Sequence, residues 1–311
     1  MRVFITGASG WIGSAVVPEL IGAGHQVVGL ARSDASAAAL TKAGAEVRRG
    51  TLDDLDVLRG AAAESDGVIH LAFKHDLAFS GGFESAADAD RLAIDTFGEA
   101  LAGSDRPFVI AAGTLGLAPG RVATEQDGHA SGQPGAHLTG GPAKRMANAH
   151  ATVALADRGV RSSVVRLPPT VHGDGDHGFL ATIVGVAREK GVSGYIGDGA
   201  NRWPAVHRTD AALLFRLALE SAPAGSSLHA IADEGVPIRT VAEVIGRHLG
   251  LPTASVTPDD APAHFSWLAG FLGVDSPASS AHTRELLGWQ PTQPGLVEDL
   301  DKGHYFATPS A

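Results

Sequence analysis

Three glycines, Gly7, Gly10 and Gly13, stand between a short apolar run, Val3-Phe4-Ile5, and a helical stretch, and they constrain this chain more than any other feature. Each has its own work. Gly7 lets the backbone turn off a strand, Gly10 lets it approach a pyrophosphate, and Gly13 lets the next helix pack close to the sheet. That helix aims its unpaired N–H groups and positive dipole end at the phosphates. The turn Thr6-Gly7-Ala8-Ser9-Gly10-Trp11-Ile12-Gly13 is therefore expected to hold a dinucleotide, with Ser9, Trp11 and Ile12 in the cradle. Pro18, inside the helix, is expected to kink it or remove a backbone bond.

The end of the second strand, Gln26-Val27-Val28-Gly29-Leu30, indicates which dinucleotide. An NAD-binding chain places an acid there for the adenosine ribose hydroxyls. Here the segment reads Ala31-Arg32-Ser33. A guanidinium beside a hydroxyl suits the 2′-phosphate of NADP through charge-assisted hydrogen bonds. Arg32 and Ser33 thus point to NADP(H), with Asp34 lying further into the loop.

Strand-like runs and alanine-rich helical stretches alternate through the first half, the pattern of an α/β doubly wound parallel sheet of Rossmann type. Further strands are expected at Ala45–Arg48, Gly67–Ala72, Pro107–Ala112 and Ser163–Leu167, with helices near Ala35–Ala43, Leu55–Ala63, Glu84–Gly103 and Pro142–Arg158. The connection from Gly113 to Gly141 holds eight glycines in 29 residues and follows the fifth strand, where ligands bind. It is expected to be a mobile substrate or cofactor loop. Past Leu167 the elements shorten, with helices near Phe179–Lys190, Thr209–Ser221, Thr240–Leu249 and Ala261–Phe271. Residues 1–167 should form the dinucleotide domain and 168–311 mainly a smaller, interleaved substrate lobe. A segment near 205–232, including the strand Leu228–Ile231, should return to the first domain.

Composition narrows the function classes. A net charge of −10 disfavours nucleic acid as partner. No apolar segment approaches the ~20 residues of a membrane span. The amino terminus is already structural sequence, so no signal peptide is expected. Zero cysteines leave no disulfide or thiolate nucleophile, and the 14 histidines show no metal-ligand spacing. A cytoplasmic protein without a metal, acting on a small molecule, is expected.

These residues resemble the extended short-chain dehydrogenase/reductases, whose best-known members are nucleotide-sugar epimerases and dehydratases. The likeness rests on the glycine turn, on Leu52-Asp53, His70-Leu71-Ala72 and Arg166-Leu167-Pro168, and on Ala205-Val206-His207-Arg208-Thr209-Asp210-Ala211. It implies that Leu52 and Asp53 lie against adenine, that Leu71 and Ala72 line the cofactor channel, and that Pro168 lies near the nicotinamide. Asp53 could also cap the helix from Leu55, and His70 reads as a packed strand residue. The resemblance further implies a homodimer through the helices at Glu84–Gly103 and Pro142–Arg158.

Chemistry is where the chain departs from that family. Its members carry a Ser or Thr after the fifth strand and a Tyr-x-x-x-Lys on the next helix. The lysine holds the ribose and lowers the tyrosine pKa, and the tyrosine moves the proton that accompanies hydride transfer. This chain has two tyrosines, Tyr195 and Tyr305, and neither stands four before a lysine. The matching segment, Gly140-Gly141-Pro142-Ala143-Lys144, puts Lys144 in the lysine's place and Gly140 in the tyrosine's. Thr114 is the candidate hydroxyl, and Asp95 stands where relatives have an asparagine supporting the lysine. A replacement acid could come from His75, His137, His172 or Lys74. A substrate such as an iminium could need less proton donation. The leading expectation is an NADP(H)-dependent oxidoreductase for a small carbonyl, alcohol or imine-like compound, with Thr114 and Lys144 catalytic. The alternatives are a nucleotide-sugar epimerase or dehydratase, and a non-catalytic NADP-binding sensor.

Overall fold

The computed structural model describes residues 1–128 and 139–307. Its first half alternates as the apolar pattern requires. Strands β1 (Arg2–Thr6), β2 (Gln26–Ala31), β3 (Glu46–Arg49) and β4 (Gly67–His70) are separated by helices α1 (Gly13–Gly22), α2 (Asp34–Lys42) and α3 (Leu55–Ala63). A single turn, α4 (His75–Leu77), precedes the long α5 (Phe83–Leu101). Then come β5 (Pro107–Gly113), α6 (Gly140–Ala154) and β6 (Arg161–Leu167). Helix α1 runs through Pro18 without ending; the proline, having no N–H, leaves one backbone bond of the helix unmade.

The second half is built of shorter pieces: β7 (Thr170–His172), α7 (Phe179–Lys190), β8 (Ser193–Ile196), β9 (Arg202–His207), α8 (Arg208–Ser221), β10 (Ser226–His229) and β11 (Asp233–Pro237). The chain closes with α9 (Ile238–Leu249), β12 (Thr253–Val256), α10 (Ala261–Phe265), α11 (Ala269–Leu272), α12 (Ala281–Leu287) and α13 (Leu296–Asp301). The single helix expected over Ala261–Phe271 is broken at Ser266, whose φ of 52° lies in the left-handed region.

Seven parallel strands make the main sheet in the order β10-β6-β5-β4-β1-β2-β3. The order reverses beside β1, and there a crevice opens at the carboxyl ends of the strands. Both faces are covered, as a parallel sheet requires. On one face Val16, Val17 and Leu20 of α1 pack with Leu214, Phe215 and Leu219 of α8. On the other, Leu58 of α3 joins Ile94, Phe97 and Leu101 of α5 and Ala149 of α6. A separate apolar cluster, with Ile183, Trp203, Ile245, Phe265 and Leu268, sits beneath the small sheets β11-β9-β7 and β12-β8. Among the described residues no helix is long and apolar enough to cross a membrane.

Candidate active site

The glycine turn is built as tightly as its sequence suggests. Gly7 has φ +68°, and a Cβ there would lie 2.7 Å from the Ala72 backbone nitrogen. A Cβ on Gly13 would lie 2.2 Å from the Gly7 carbonyl oxygen, so no side chain fits. The Gly10 N–H donates to that carbonyl at 2.9 Å, closing the turn. No side chain caps α1. The N–H groups of Ser14, Ala15 and Val16 are taken by the Gly10 and Ile12 carbonyls, so the positive end of α1 and the turn that leads into it, at a bend that only glycine can make, are what fit a pyrophosphate. Ser9 is exposed on the rim and Ile12 occupies the N-cap position. Trp11 turns to the small lobe, donating its indole N–H to the Val171 carbonyl at 2.8 Å beneath the Arg208 guanidinium.

At the end of β2 the Arg32 side chain is 76% exposed, with the Asp76 carboxylate 3.7 Å away. Ala31 is buried, so no acid reaches a ribose from that position. Ser33 caps α2, accepting from the Ser36 N–H at 3.2 Å. Asp34 faces Arg49. Leu52 is buried in the α3 to α5 cluster. Asp53 holds Lys74 with both oxygens, at 2.6 and 2.7 Å. Asp54, not Asp53, has the N-cap position of α3, and it turns back to the Thr51 N–H.

At the opposite end of the crevice the structure reassigns roles on α6. Lys144 points outward and donates to both oxygens of Asp88 at 2.9 Å, and this hydrogen bond raises its pKa. The side chain that turns inward is Arg145. Its guanidinium lies 3.7 Å over the Phe73 ring and donates to the Ala111 carbonyl of β5 at 3.2 Å. The face of α6 toward the sheet runs Gly141, Arg145, Asn148, Thr152, the spacing of one helical stripe. With Arg145 inward, the residue four before it is Gly141. A Cβ there would lie 2.5 to 2.7 Å from atoms of Phe83, so the position cannot hold a tyrosine.

Arg145 stands at the end of a buried polar chain. The Thr6 hydroxyl and His70 Nδ1 are 2.6 Å apart, and His70 Nε2 lies 3.3 Å from Asp90. Asp90 accepts from the Asn148 amide at 2.8 Å and sits 3.6 Å from Arg145 Nη1. Burial alone would raise the Asp90 carboxyl, but Arg145, His70 and Asn148 outweigh it and hold the pKa below the usual range. Burial lowers the Arg145 pKa, against the pull of Asp90. Arg145 Nη1 is fully buried and makes no hydrogen bond, the Asp90 carboxylate at 3.6 Å being its ionic neighbour. Asp95, by contrast, pairs with Arg91 one turn earlier on the outer face of α5.

The remaining candidates fall in different places. Leu71 and Ala72 follow β4 directly beside the Gly7 turn, and the Ala72 N–H donates to the Thr6 hydroxyl at 3.3 Å. Pro168 is buried just beyond β6. Thr114 is 0% exposed, and its hydroxyl turns to the Leu167 carbonyl at 3.4 Å rather than to the crevice. His172 is buried against Asp299 at 2.9 Å. His75 stacks on Phe79, where desolvation and the charge of Arg145 lower its pKa and make it a weak acid source at neutral pH. Lys74 is engaged by Asp53. His137 lies outside the described residues. Sequence reasoning gave the inward position to Lys144 rather than to its neighbour Arg145 and missed Asp90, although the 4-3-4 spacing of Gly141, Arg145, Asn148 and Thr152 carried the signal.

Known proteins resemble this chain along its whole length. The model of the NAD dependent epimerase/dehydratase family matches residues 3–231. An uncharacterized protein of Schizosaccharomyces pombe is 47% identical over 307 residues, covering 98% of this chain and 100% of the relative. One from Saccharomyces cerevisiae is 46% identical, covering 96% and 98%. Among solved structures, a dTDP-glucose 4,6-dehydratase from Streptomyces venezuelae with NAD bound superposes with a TM-score of 0.76 at 18% identity, covering 98% of this chain and 96% of that one. A UDP-glucose 4-epimerase from Thermotoga maritima also gives 0.76 at 18%, covering 98% of both chains. The chain is a member of the NAD-dependent epimerase/dehydratase family, within the extended short-chain dehydrogenases/reductases, proteins that bind a nicotinamide dinucleotide.

Proposed function

We propose that this protein is an NADP(H)-dependent oxidoreductase that reduces small carbonyl compounds and uses Arg145 where relatives use tyrosine and lysine. The observation that carries this reading is the inward guanidinium at the end of β5, stacked on Phe73 and anchored by the Ala111 carbonyl. The glycine turn and Arg32 would hold the adenosine and pyrophosphate half of a dinucleotide, and its nicotinamide half would then be directed toward β4, β5 and Arg145. The reduced nicotinamide supplies a hydride to a carbonyl carbon. Arg145 can then hold the developing alkoxide with a donor already fixed in place by Phe73, the Ala111 carbonyl and Asp90. Arg145 remains charged at neutral pH, so the proton that completes the alcohol comes from water.

Thr114 belongs to this proposal as a second donor only if its hydroxyl turns from the Leu167 carbonyl to the crevice, and Lys144 as a charge on the outer face. The Arg32 guanidinium, with no acid at Ala31, supports NADP over NAD. Purified protein with NADPH should consume it in the presence of simple aldehydes and ketones. Arg145→Ala should lower kcat/KM by about 100-fold, with Arg145→Lys partly restoring it. NADPH binding without consumption across a broad carbonyl panel would instead favour a sensor, and an Arg145→Ala variant as active as the parent would remove the assigned role.

A further inference from the structure

Helices α1 and α8 lie side by side and run in the same direction. Arg216 of α8 donates to Glu19 of α1 at 2.7 Å, and Glu220 meets His25, just past the end of α1, at 2.9 Å. The same step along both helices, back to their amino-terminal ends, brings Trp11 together with Arg208, whose guanidinium lies 4.1 Å over the indole ring. Both helices therefore direct their positive ends toward the glycine turn. The apolar face of α8 packs on Ile69, Val109 and Val165 of β4, β5 and β6, so Arg208 stands on the side of the turn away from β2 and β3. Trp11 bonds the Val171 carbonyl of β7 on that same side.

Arg208 is half-buried, yet among the described residues its guanidinium makes no ion pair and no hydrogen bond, and the Trp11 ring is its partner. In a chain of net charge −10 this is unusual: Arg2, Arg32, Arg49, Arg91 and Arg216 each face a carboxylate. Stacking on a ring occupies the face of a guanidinium and leaves its N–H edge able to donate. At the turn itself the Trp11 and Ile12 N–H groups likewise donate to no group among the described residues. A pyrophosphate brings two negative charges to this place. The backbone N–H groups can bond its oxygens, but they carry no formal charge to balance it.

We propose that Arg208 is the side-chain cation of the pyrophosphate site, its free edge donating to the phosphate on the nicotinamide side of a bound dinucleotide while Trp11 carries its face. The role rests on the dinucleotide binding that the family shares. It is the same for NADP and NAD, and for a reductase and a sensor.

Isothermal titration of the full-length protein and of Arg208→Gln with NADPH, NADH, 2′,5′-ADP and AMP tests this. The two dinucleotides share the pyrophosphate, and the two mononucleotides lack its second phosphate. Arg208→Gln should weaken NADPH and NADH alike, by about tenfold, within the range of one charge-assisted hydrogen bond. It should bind 2′,5′-ADP and AMP as the parent does. Arg208→Lys, which keeps the charge and can keep the contact with Trp11, should recover part of the loss. Unchanged dinucleotide affinity in the glutamine variant would overturn the proposal. So would equal losses for dinucleotides and mononucleotides, the mark of a distorted turn, and a loss confined to NADPH and 2′,5′-ADP, which would place Arg208 at the 2′-phosphate. Failure of the NADP reading shows separately, as a parent that binds NADH as tightly as NADPH, and leaves this comparison intact.

Discussion

Two arginines mark the ends of the proposed site, and they differ in what surrounds them. Arg32 is open to solvent, and its one acidic neighbour, Asp76, competes with any phosphate for the guanidinium. Arg32→Ala should therefore weaken NADPH by about tenfold or more while leaving NADH nearly unchanged, and Asp76→Asn should tighten NADPH. Fluorescence titrations of both nucleotides check this, and equal losses in the Arg32 variant would remove the 2′-phosphate assignment. Arg145 is the opposite case. Its place is fixed on three sides by Phe73, Ala111 and Asp90, which makes it a preorganised donor rather than a mobile charge. At this scale the position of Arg32 just past β2 was legible in the sequence, because the strand's apolar run ends there. Arg145 was not, because neighbouring residues on a helix differ by about 100° in direction and a count from β6 cannot fix the rotation.

At the scale of elements, the sequence was most informative where geometry leaves one solution. The glycine turn between β1 and α1 admits no Cβ at Gly7 or Gly13, so three residues announce the turn, the helix and the ligand together. The parallel sheet was legible through the two-sided burial of β1, β2, β4 and β5, which makes their sequences apolar runs, whereas the edge strand β3 carries three charged residues. Less legible was the packing of α6 against α5. The contact of Phe83 with Gly141 explains why the tyrosine position is a glycine, but it joins residues far apart in the chain and leaves no local pattern. The small lobe was harder still. Its strands have three to six residues, and the helix expected over Ala261–Phe271 is divided by a backbone conformation at Ser266 that no propensity foretells. That division is also what sets Trp267 in its own short turn facing Phe79.

At the scale of the whole molecule, buried ionisable groups tie the sheet to the connecting loop and to the carboxyl-terminal elements. Arg166, at the end of β6, donates to the Asp127 carbonyl at 2.8 Å, and His229 on β10 lies 3.4 Å from it. Thr283 of α12 donates to Glu125 at 2.7 Å. Burial first, and then the charge of Arg166, push the His229 pKa down to about 4 from its ordinary 6.5. Between these values the unfolded chain binds a proton that the folded chain refuses. This contribution to stability is complete above pH 6.5 and is lost as the pH falls toward 4, by on the order of 3 kcal/mol. Urea unfolding of the parent and of His229→Asn across that window reads the difference. A parent whose midpoint does not fall with pH, or a variant that keeps the same slope, would contradict it.

The central claim is that a chain without the usual tyrosine still transfers hydride from its dinucleotide. Incubating the protein with NADPH deuterated on the transferring face of C4 and a ketone, then examining the product by mass spectrometry, tests it most directly. The account predicts one deuterium on the carbinol carbon of the alcohol and a matching amount of oxidised dinucleotide. Bound NADPH that stays unchanged while no labelled alcohol forms, with either epimer of the label and across ketones and aldehydes, would contradict it.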